Sequence, residues 1–503
     1  MNDMQNQHVL ILGLGASGLA MARWCARCGA QVTVADTRTC PPQLPTLQHD
    51  VPSARFVGGV FDASLVQGGV TAVFKSPGLS PAEVASISVA AHACNISTKG
   101  ELSLFSSALT NLQATQGYTP KVLAITGTNG KTTVTSLTGQ LVARAGKTVA
   151  LAGNIGPTLL DTLSKHLDEG TLPDVWVLEL SSFQLDGETT FEPTAGTVLN
   201  ITQDHLDWHG SMQAYVLAKA VVFGRSGLMV LNREDEVVMN LLPAPVRVKL
   251  KPPQHRAYVT FGGDMPQRPG DFGIETVNGM TWLVRALEAD ETIKPRKGVA
   301  PELHIQRLMP ADALRIRGRH NAVNALSALA LASAAGCALG PMLYGLREYR
   351  GEPHRVQPIG IINHVEFFDD SKGTNVGATV AALQGLGADR KVVVILGGEG
   401  KGQDFSPLAD PVHQFVRAVV LIGRDAPLIR AALANTQVSL IDATDMAHAV
   451  TQANTQAHAG DAVLMSPACA SFDMFDNYEH RARMFVQAVE ALAVDAGITL
   501  EGV

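Results

Sequence analysis

A chain of 503 residues exceeds one ordinary core, and 46% hydrophobic against 17% charged residues describe a globular protein of about three domains without a disordered tail. The formal net charge of -7 and the lack of any long basic run argue against nucleic acid as a partner. The polar start, Met1 to His8, lacks the regions of a signal peptide, and Ala322–Gly340 is broken by Asn324, Ser327 and Ser333, so a cytoplasmic protein without a membrane span is expected.

The first strand, Val9–Leu12, runs into Gly13-Leu14-Gly15-Ala16-Ser17-Gly18 and a helical stretch from Leu19 to about Cys28. Cys25 and Cys28 form a C-x-x-C in that helix, but no second pair stands at zinc spacing, so core packing in a reducing compartment is the reading. A second strand, Val32–Ala35, ends on Asp36. This is a complete G-x-G-x-x-G fingerprint with an acidic residue placed to hold a ribose hydroxyl. Its physics is a pyrophosphate meeting a helix N-terminus, which NAD and a UDP-linked ligand satisfy equally. Ala72–Phe74 predicts another strand, ending in the loop Lys75 to Pro81 at a carboxyl edge where open α/β sheets bind ligands. A polar connection near Ser107–Thr119 closes this domain.

Val122–Ile125 reads as a buried strand and feeds Thr126-Gly127-Thr128-Asn129-Gly130-Lys131-Thr132-Thr133, a phosphate-binding loop. Glycines let backbone N–H groups close around an anion, Lys131 adds a point charge and Thr132 offers an oxygen to Mg²⁺. The general motif places a glycine where Ile125 stands. The next strand, Val175–Leu180, carries Glu179 near its end, and a carboxylate in so apolar a run suits a Mg²⁺ site. Asp204-His205-Leu206-Asp207-Trp208-His209 is either a metal site or a polar helix start. Lys219, inside the apolar Tyr215–Phe223, is either snorkelling or functional, and its position alone favours snorkelling. Pro252–Lys297 reads as loops and peripheral strands without chemistry, and Gly318–Ala325 opens an Ala-rich helix.

A boundary near Tyr349–Pro353 leads to strands at Val365–Phe368, Val392–Leu396, Ala418–Ile422 and Ala462–Met465. Each ends in a polar or glycine-rich loop: Asp369–Asn375, Gly397–Lys401, Gly423-Arg424 and Ser466–Phe472. That rhythm predicts a mainly parallel doubly wound sheet with the four loops on one edge, where Lys372 and Lys401 face a shared cleft suited to a small anion. Hydride transfer would use the fingerprint loop but leave the phosphate loop without a role.

Thr126–Thr133 resembles the ATP loop of the Mur ligases, the ATP-dependent amide-forming ligases of peptidoglycan synthesis, whose loop likewise lacks the first glycine of the general pattern. Asp370–Asn375, Gly397–Lys401 with Asp404–Pro407, and Ser466–Ser471 resemble the branch that adds D-glutamate. The Asp-Asn-Pro-Arg signature of the diaminopimelate- or lysine-adding branch is absent. The resemblance spans nearly the whole chain. It implies an α/β protein of three domains: a Rossmann-like UDP-substrate domain (1–115), a central P-loop ATPase-like domain (116–350), and a C-terminal Rossmann-like doubly wound domain (351–503) binding the amino acid and part of ATP.

Site residues follow from the same resemblance. Gly15, Ala16, Ser17, Asp36, Thr37, Arg38 and Gly78 would hold uridine diphosphate rather than NAD, with Asn154 and His205 on the rest of UDP-N-acetylmuramoyl-L-alanine. Gly127 to Thr133 with Asn321, Arg355 and Asp370 would bind ATP. Lys131, Glu179, His205 and Lys219 would carry the chemistry. Thr132 and Glu179 would ligate one Mg²⁺, and His205 with Lys219 as its carbamate a second, which reverses the snorkelling reading. Lys372, Thr374, Lys401, Ser471, Phe472 and Tyr478 would surround D-glutamate. Tyr478 stands where an apolar aromatic is common, and Arg481-Ala482 replaces a usual Arg-Gly. A monomer is expected, with its domains rotating closed about linkers near Gly117 and Gly351.

Overall fold

The computed structural model describes residues 4–246, 255–289, 302–388 and 390–500. Residues 252–254 and 290–297 of the stretch expected to be loops lie outside these. No helix among the described residues is long and apolar enough to cross a membrane.

The first sheet contains β1 (His8–Leu12), β2 (Gln31–Asp36), β3 (Arg55–Gly58), β4 (Val70–Lys75) and β5 (Thr98–Lys99). They run parallel in the order β3-β2-β1-β4-β5. The order reverses between β1 and β4, so the loops after these two strands flank a crevice at the carboxyl edge. The helix after β1 spans Ala16–Arg27, three residues earlier than its apolar run suggests, because extended Gly15 is its N-cap. Gly18 must lack a side chain, since a Cβ there would lie 1.9 Å from the Gly13 carbonyl oxygen.

The helix Glu101–Gln116 ends on left-handed Gly117 and leads into the second sheet. Its strands are β6 (Lys121–Thr126), β7 (Val149–Gly153), β8 (Val175–Glu179), β9 (Ala195–Val198), β10 (Leu228–Asn232) and β11 (Tyr258–Phe261), in the order β11-β10-β9-β6-β8-β7. β6 is central and buried beyond its first residue, as a parallel strand covered on both faces requires. A small antiparallel sheet, β12 (Phe272–Val277), β13 (Met280–Glu288) and β14 (Leu303–Pro310), accounts for part of the expected peripheral strands. The Ala-rich helix Arg319–Ala334 packs on the phosphate-loop helix Lys131–Arg144.

The last sheet has β15 (Gln357–Ile362), β16 (Val365–Asp369), β17 (Val392–Gly397), β18 (Val416–Ile422), β19 (Ser439–Asp442) and β20 (Ala462–Met465), in the order β15-β16-β20-β17-β18-β19. Only β15 runs antiparallel. The four strands read from sequence are its interior; β15 and β19, at the edges, are half-buried and carry no continuous apolar run.

Candidate active site

Ile125 is fully buried inside β6, between Glu179 of β8 and Thr197 of β9, and the phosphate loop turns two residues later at Gly127. Gly130, with φ +84°, caps the helix Lys131–Arg144 in the left-handed region that disfavours a side chain. The loop hangs on the end of β9: Asn129 N–H donates to Asn200 Oδ1 at 2.8 Å, and Asn200 Nδ2 returns a bond to the Asn129 carbonyl at 3.1 Å. Thr128 Oγ1 meets the Tyr215 hydroxyl at 3.1 Å.

Three charged side chains converge on this loop. Lys131 Nζ donates to the carbonyls of Gly127 and Thr128, each at 2.9 Å. Burial pushes its pKa down, while Glu179 opposes that. Lys219 Nζ donates to the same Gly127 carbonyl at 2.9 Å and stands 4.6 Å from the Tyr215 ring. It is 2% exposed, and burial, reinforced by Lys131, pushes its pKa well below the usual lysine value. Glu179 accepts from Asn154 Nδ2 at 2.8 Å through Oε1, but its buried Oε2 has no partner. His205 sits at φ +53°, 3.5 Å from Asp204 and against the Phe183 ring. Burial lowers its pKa despite Asp204, which leaves a ring nitrogen free to accept or to ligate.

No group of three or more His, Cys, Asp or Glu converges among the described residues. Mg²⁺ does not demand one, since it is commonly held by one or two carboxylates together with substrate phosphates and water. The orphaned oxygen of Glu179, which stands close enough to Lys131 of the phosphate loop to act on it, fits that donor set, and the Thr132 hydroxyl lies in the first turn of the phosphate-loop helix.

The C-terminal domain closes over this loop. Arg355 Nη2 donates to Thr132 Oγ1 at 2.5 Å, and the side-chain amides of Asn129 and Asn375 pair at 3.0 and 3.2 Å. Burial pushes the Asp370 carboxyl up to about 7, although Ser466 donates to it at 2.6 Å and Arg355 stands near. A cavity of about 1000 Å³ between the domains is bordered by Asn321 and Arg355, and a smaller pocket joins it to Gly130, Asp370 and Lys372. Asn321 donates to the Arg317 carbonyl at 2.8 Å and accepts from Asn324 at 3.2 Å. Asn324 also stands 2.9 Å from where a Gly130 Cβ would be. Sequence reading passed over it, although Asn321 and Asn324 have the i, i+3 spacing of one helix face.

Lys372 lies 3.7 Å from the Tyr478 ring; burial and Arg355 push its pKa down, while Glu179 and Lys131 are close enough to act on it. Thr374 N–H donates to the Lys372 carbonyl at 2.9 Å. Lys401 approaches the exposed Phe472 ring at 5.8 Å, and paired Glu399–Ala470 backbone bonds of 2.9 Å join the Lys401 loop to Ser471. Fully buried Arg481 ties the Ser371 and Cys469 carbonyls together at 2.8 and 3.0 Å, and burial lowers it to about 10. Sequence reading gave it no role.

At the first sheet, Asp36 accepts from Leu14 N–H at 2.7 Å and from Arg38 through its backbone at 2.9 Å and its guanidinium at 2.8 Å. The Arg38 guanidinium leads in holding its carboxyl down at about 2. Asp36 therefore braces Arg38 and the Gly13–Gly15 turn. Exposed Thr37 follows it, Gly15 and Ala16 are exposed at the helix start, and a side chain on Gly78 would meet nothing within 4 Å. This loop cluster joins the central domain through Lys75 and Asp186, 3.6 Å apart. The fingerprint loop thus forms its own crevice, while the phosphate loop, Glu179, Arg355 and Lys372 share another.

Three family models match: "Mur ligase MurD-like, N-terminal domain" over residues 7–98, "Mur ligase middle domain" over 125–332, and "Mur ligase, glutamate ligase domain" over 354–469. Among curated relatives, UDP-N-acetylmuramoylalanine--D-glutamate ligase of Albidiferax ferrireducens is 75% identical, covering 100% of this chain and 99% of its own. The enzyme of that name from Ralstonia nicotianae is 56% identical over 99% of each chain. Among solved structures, the MurF ligase of Thermotoga maritima in complex with ADP aligns with a TM-score of 0.55 at 15% identity over 98% of this chain and 97% of that one. The UDP-N-acetylmuramate-alanine ligase MurC of the same organism aligns with a TM-score of 0.54 at 19% identity over 97% and 100%. At such identities these two establish the fold alone. The chain belongs to the Mur ligase family.

Proposed function

We propose that the protein is an ATP-dependent ligase that joins D-glutamate to UDP-N-acetylmuramoyl-L-alanine in the cytoplasmic synthesis of peptidoglycan precursors. The observation that carries the reading is one cleft in which Lys131, Glu179, Arg355 and Lys372 lie close enough to act on one another. It pairs a triphosphate loop with a lysine-bearing loop. The separate crevice at Gly15–Ser17 offers a helix N-terminus to the diphosphate of the other substrate.

An amine cannot displace oxide from a carboxylate. Transfer of the ATP γ-phosphoryl group to the L-alanyl carboxylate makes an acyl phosphate, breaking the bond to ADP. The D-glutamate amine then attacks, and the tetrahedral intermediate collapses to amide and phosphate with loss of a proton. Lys131, now resting on loop carbonyls, would turn to the phosphates, and Arg355 would leave Thr132 for the nucleotide. Thr132, Glu179, His205 and a carbamylated Lys219 would hold two Mg²⁺ ions, which neutralise phosphate charge when bound. A neutral Lys219 amine can attack carbon dioxide, forming an N–C bond and releasing a proton, and so becomes an anionic ligand. Lys372, Thr374, Lys401, Ser471, Phe472 and Tyr478 would receive D-glutamate, and positioning supplies most of the rate. All three ligand sites belong to one chain, so a monomer suffices.

Phosphate release is to be measured with ATP, UDP-N-acetylmuramoyl-L-alanine and a panel of amino acids. D-glutamate alone should support rapid release. Release with a folate and glutamate instead, or a nicotinamide-dependent absorbance change without ATP, would overturn the reading.

A further inference from the structure

The first residue of the helix Glu101–Gln116 is a glutamate, 3% exposed, on the boundary between the N-terminal and central domains. First-turn residues of three helices meet at it: Ser17 of Ala16–Arg27, Glu101 itself, and Leu159 and Leu160 of Leu159–Glu169. Its Oε1 accepts from Leu160 N–H at 3.0 Å, which joins it to the central domain. Its Oε2 is buried without a partner. On the N-terminal side stands half-buried Ser17, whose hydroxyl acts on this carboxyl. The charged groups facing it are few. Asp161, on the helix Leu159–Glu169, is paired with Arg23 of the helix Ala16–Arg27 at 3.2 Å. Glu188, reached through Ser103, is occupied by the Thr189 and Thr190 amides.

We propose that Glu101 takes up a proton when the substrate's diphosphate binds at Gly15–Ser17, and that its proton turns the Ser17 hydroxyl toward the diphosphate. The inference rests on the UDP-linked substrate of the proposed function. A serine hydroxyl has one hydrogen to donate. Beside an ionised Glu101 that hydrogen is drawn to the carboxylate, and oxygen lone pairs face the incoming anion. With Glu101 protonated, its O–H donates to Ser17 Oγ, and the serine hydrogen is free for a phosphate oxygen. The balance is one proton taken from solvent for each diphosphate bound. A second anion beside a buried carboxylate favours the protonated form. Burial already brings Glu101 to about 7, so the change falls in the physiological range. His205 and His209, on the central-domain side, are held below the usual histidine value by burial and titrate beneath it.

The test is calorimetric titration of UDP-N-acetylmuramoyl-L-alanine into the full chain near pH 8, in buffers of different ionisation enthalpy. The ligand's diphosphate diester and carboxylate do not titrate there, so uptake belongs to the protein. Wild type should take up close to one proton, and its Kd should rise by up to about tenfold per pH unit above about 7. Glu101→Gln, whose amide donates to Ser17 at every pH, should bind with a flat profile and no uptake. Binding without uptake, or equal uptake in the variant, overturns the inference alone. No binding by wild type in any buffer overturns the proposed substrate. Should Glu101→Gln fail to fold, a wild-type Kd that stays flat from pH 6.5 to 8.5 overturns the inference by itself.

Discussion

Replacing Lys219 by methionine should make the protein more stable and inactive at once. Lys219 is 2% exposed and, among the described residues, forms no ion pair with a carboxylate; its Nζ meets the Gly127 carbonyl at 2.9 Å, Thr126 Oγ1 at 3.4 Å and the Tyr215 ring. Removing it does not orphan the carbonyl, because Lys131 also donates to that oxygen at 2.9 Å. Methionine fills a similar volume without a charge to desolvate. The sign of the pH dependence follows from burial. The folded-state pKa lies below the unfolded value, so between the two the unfolded chain holds more protons and wild-type stability rises with pH. One such group changes unfolding free energy by up to about 1.4 kcal/mol per pH unit. Denaturant unfolding at pH 7, 8 and 9 in buffers stripped of carbon dioxide should show Lys219→Met ahead at pH 7. Its lead should narrow by up to about 3 kcal/mol by pH 9. Parallel pH profiles, or a variant weaker than wild type at pH 7, would refute the buried-amine argument. In the same preparations wild-type turnover should be low and return with bicarbonate, whereas Lys219→Met should not respond. An unmodified lysine by mass in fully active enzyme would sink the carbamate.

Lys131→Ala should abolish ADP formation without preventing folding, since its contacts are two carbonyls of its own loop; normal turnover would remove the ATP assignment. Asn375→Ala removes two amide bonds that hold the C-terminal domain on the phosphate loop. At about 1 kcal/mol each, the loss should raise the KM for ATP by roughly 5- to 30-fold. It should also widen the solution scattering profile, and an unchanged profile with an unchanged KM would count against a closed working state. Gly18→Ala should cost more than about 2 kcal/mol, because its methyl carbon would sit 1.9 Å from the Gly13 carbonyl; a variant with wild-type melting would contradict the helix–strand approach.

What the sequence made legible was what repeats along the chain. The interior strands β1, β6, β17 and β18 contain the apolar runs Val9–Leu12, Val122–Ile125, Val392–Leu396 and Ala418–Ile422, and each run is followed by a glycine or hydroxyl residue, so the parallel sheets and their ligand edges could be read directly. Edge strands such as β15 and β19 are half-buried and gave no such signal. Within the site, Lys131 and Glu179 were legible because charge interrupts an apolar or glycine-rich pattern. Lys219 was ambiguous for the opposite reason. A lysine in an apolar helix reads as snorkelling, and only the fold decides that its stem leads inward to Gly127 rather than outward to water. Asn375, Arg481 and Glu101 act on partners more than fifty residues away in sequence: Asn129, the Ser371 carbonyl and the Leu160 amide. Each is a polar residue whose identity is ordinary locally and whose meaning comes from a distant segment brought against it by the fold. The interdomain contacts of Asn375 and Glu101 connect crevices that local motifs reveal separately. A substitution at one of them should change the coupling between substrates more than the affinity for either alone, a distinction that a double-mutant cycle between Asn375 and Glu101 can measure.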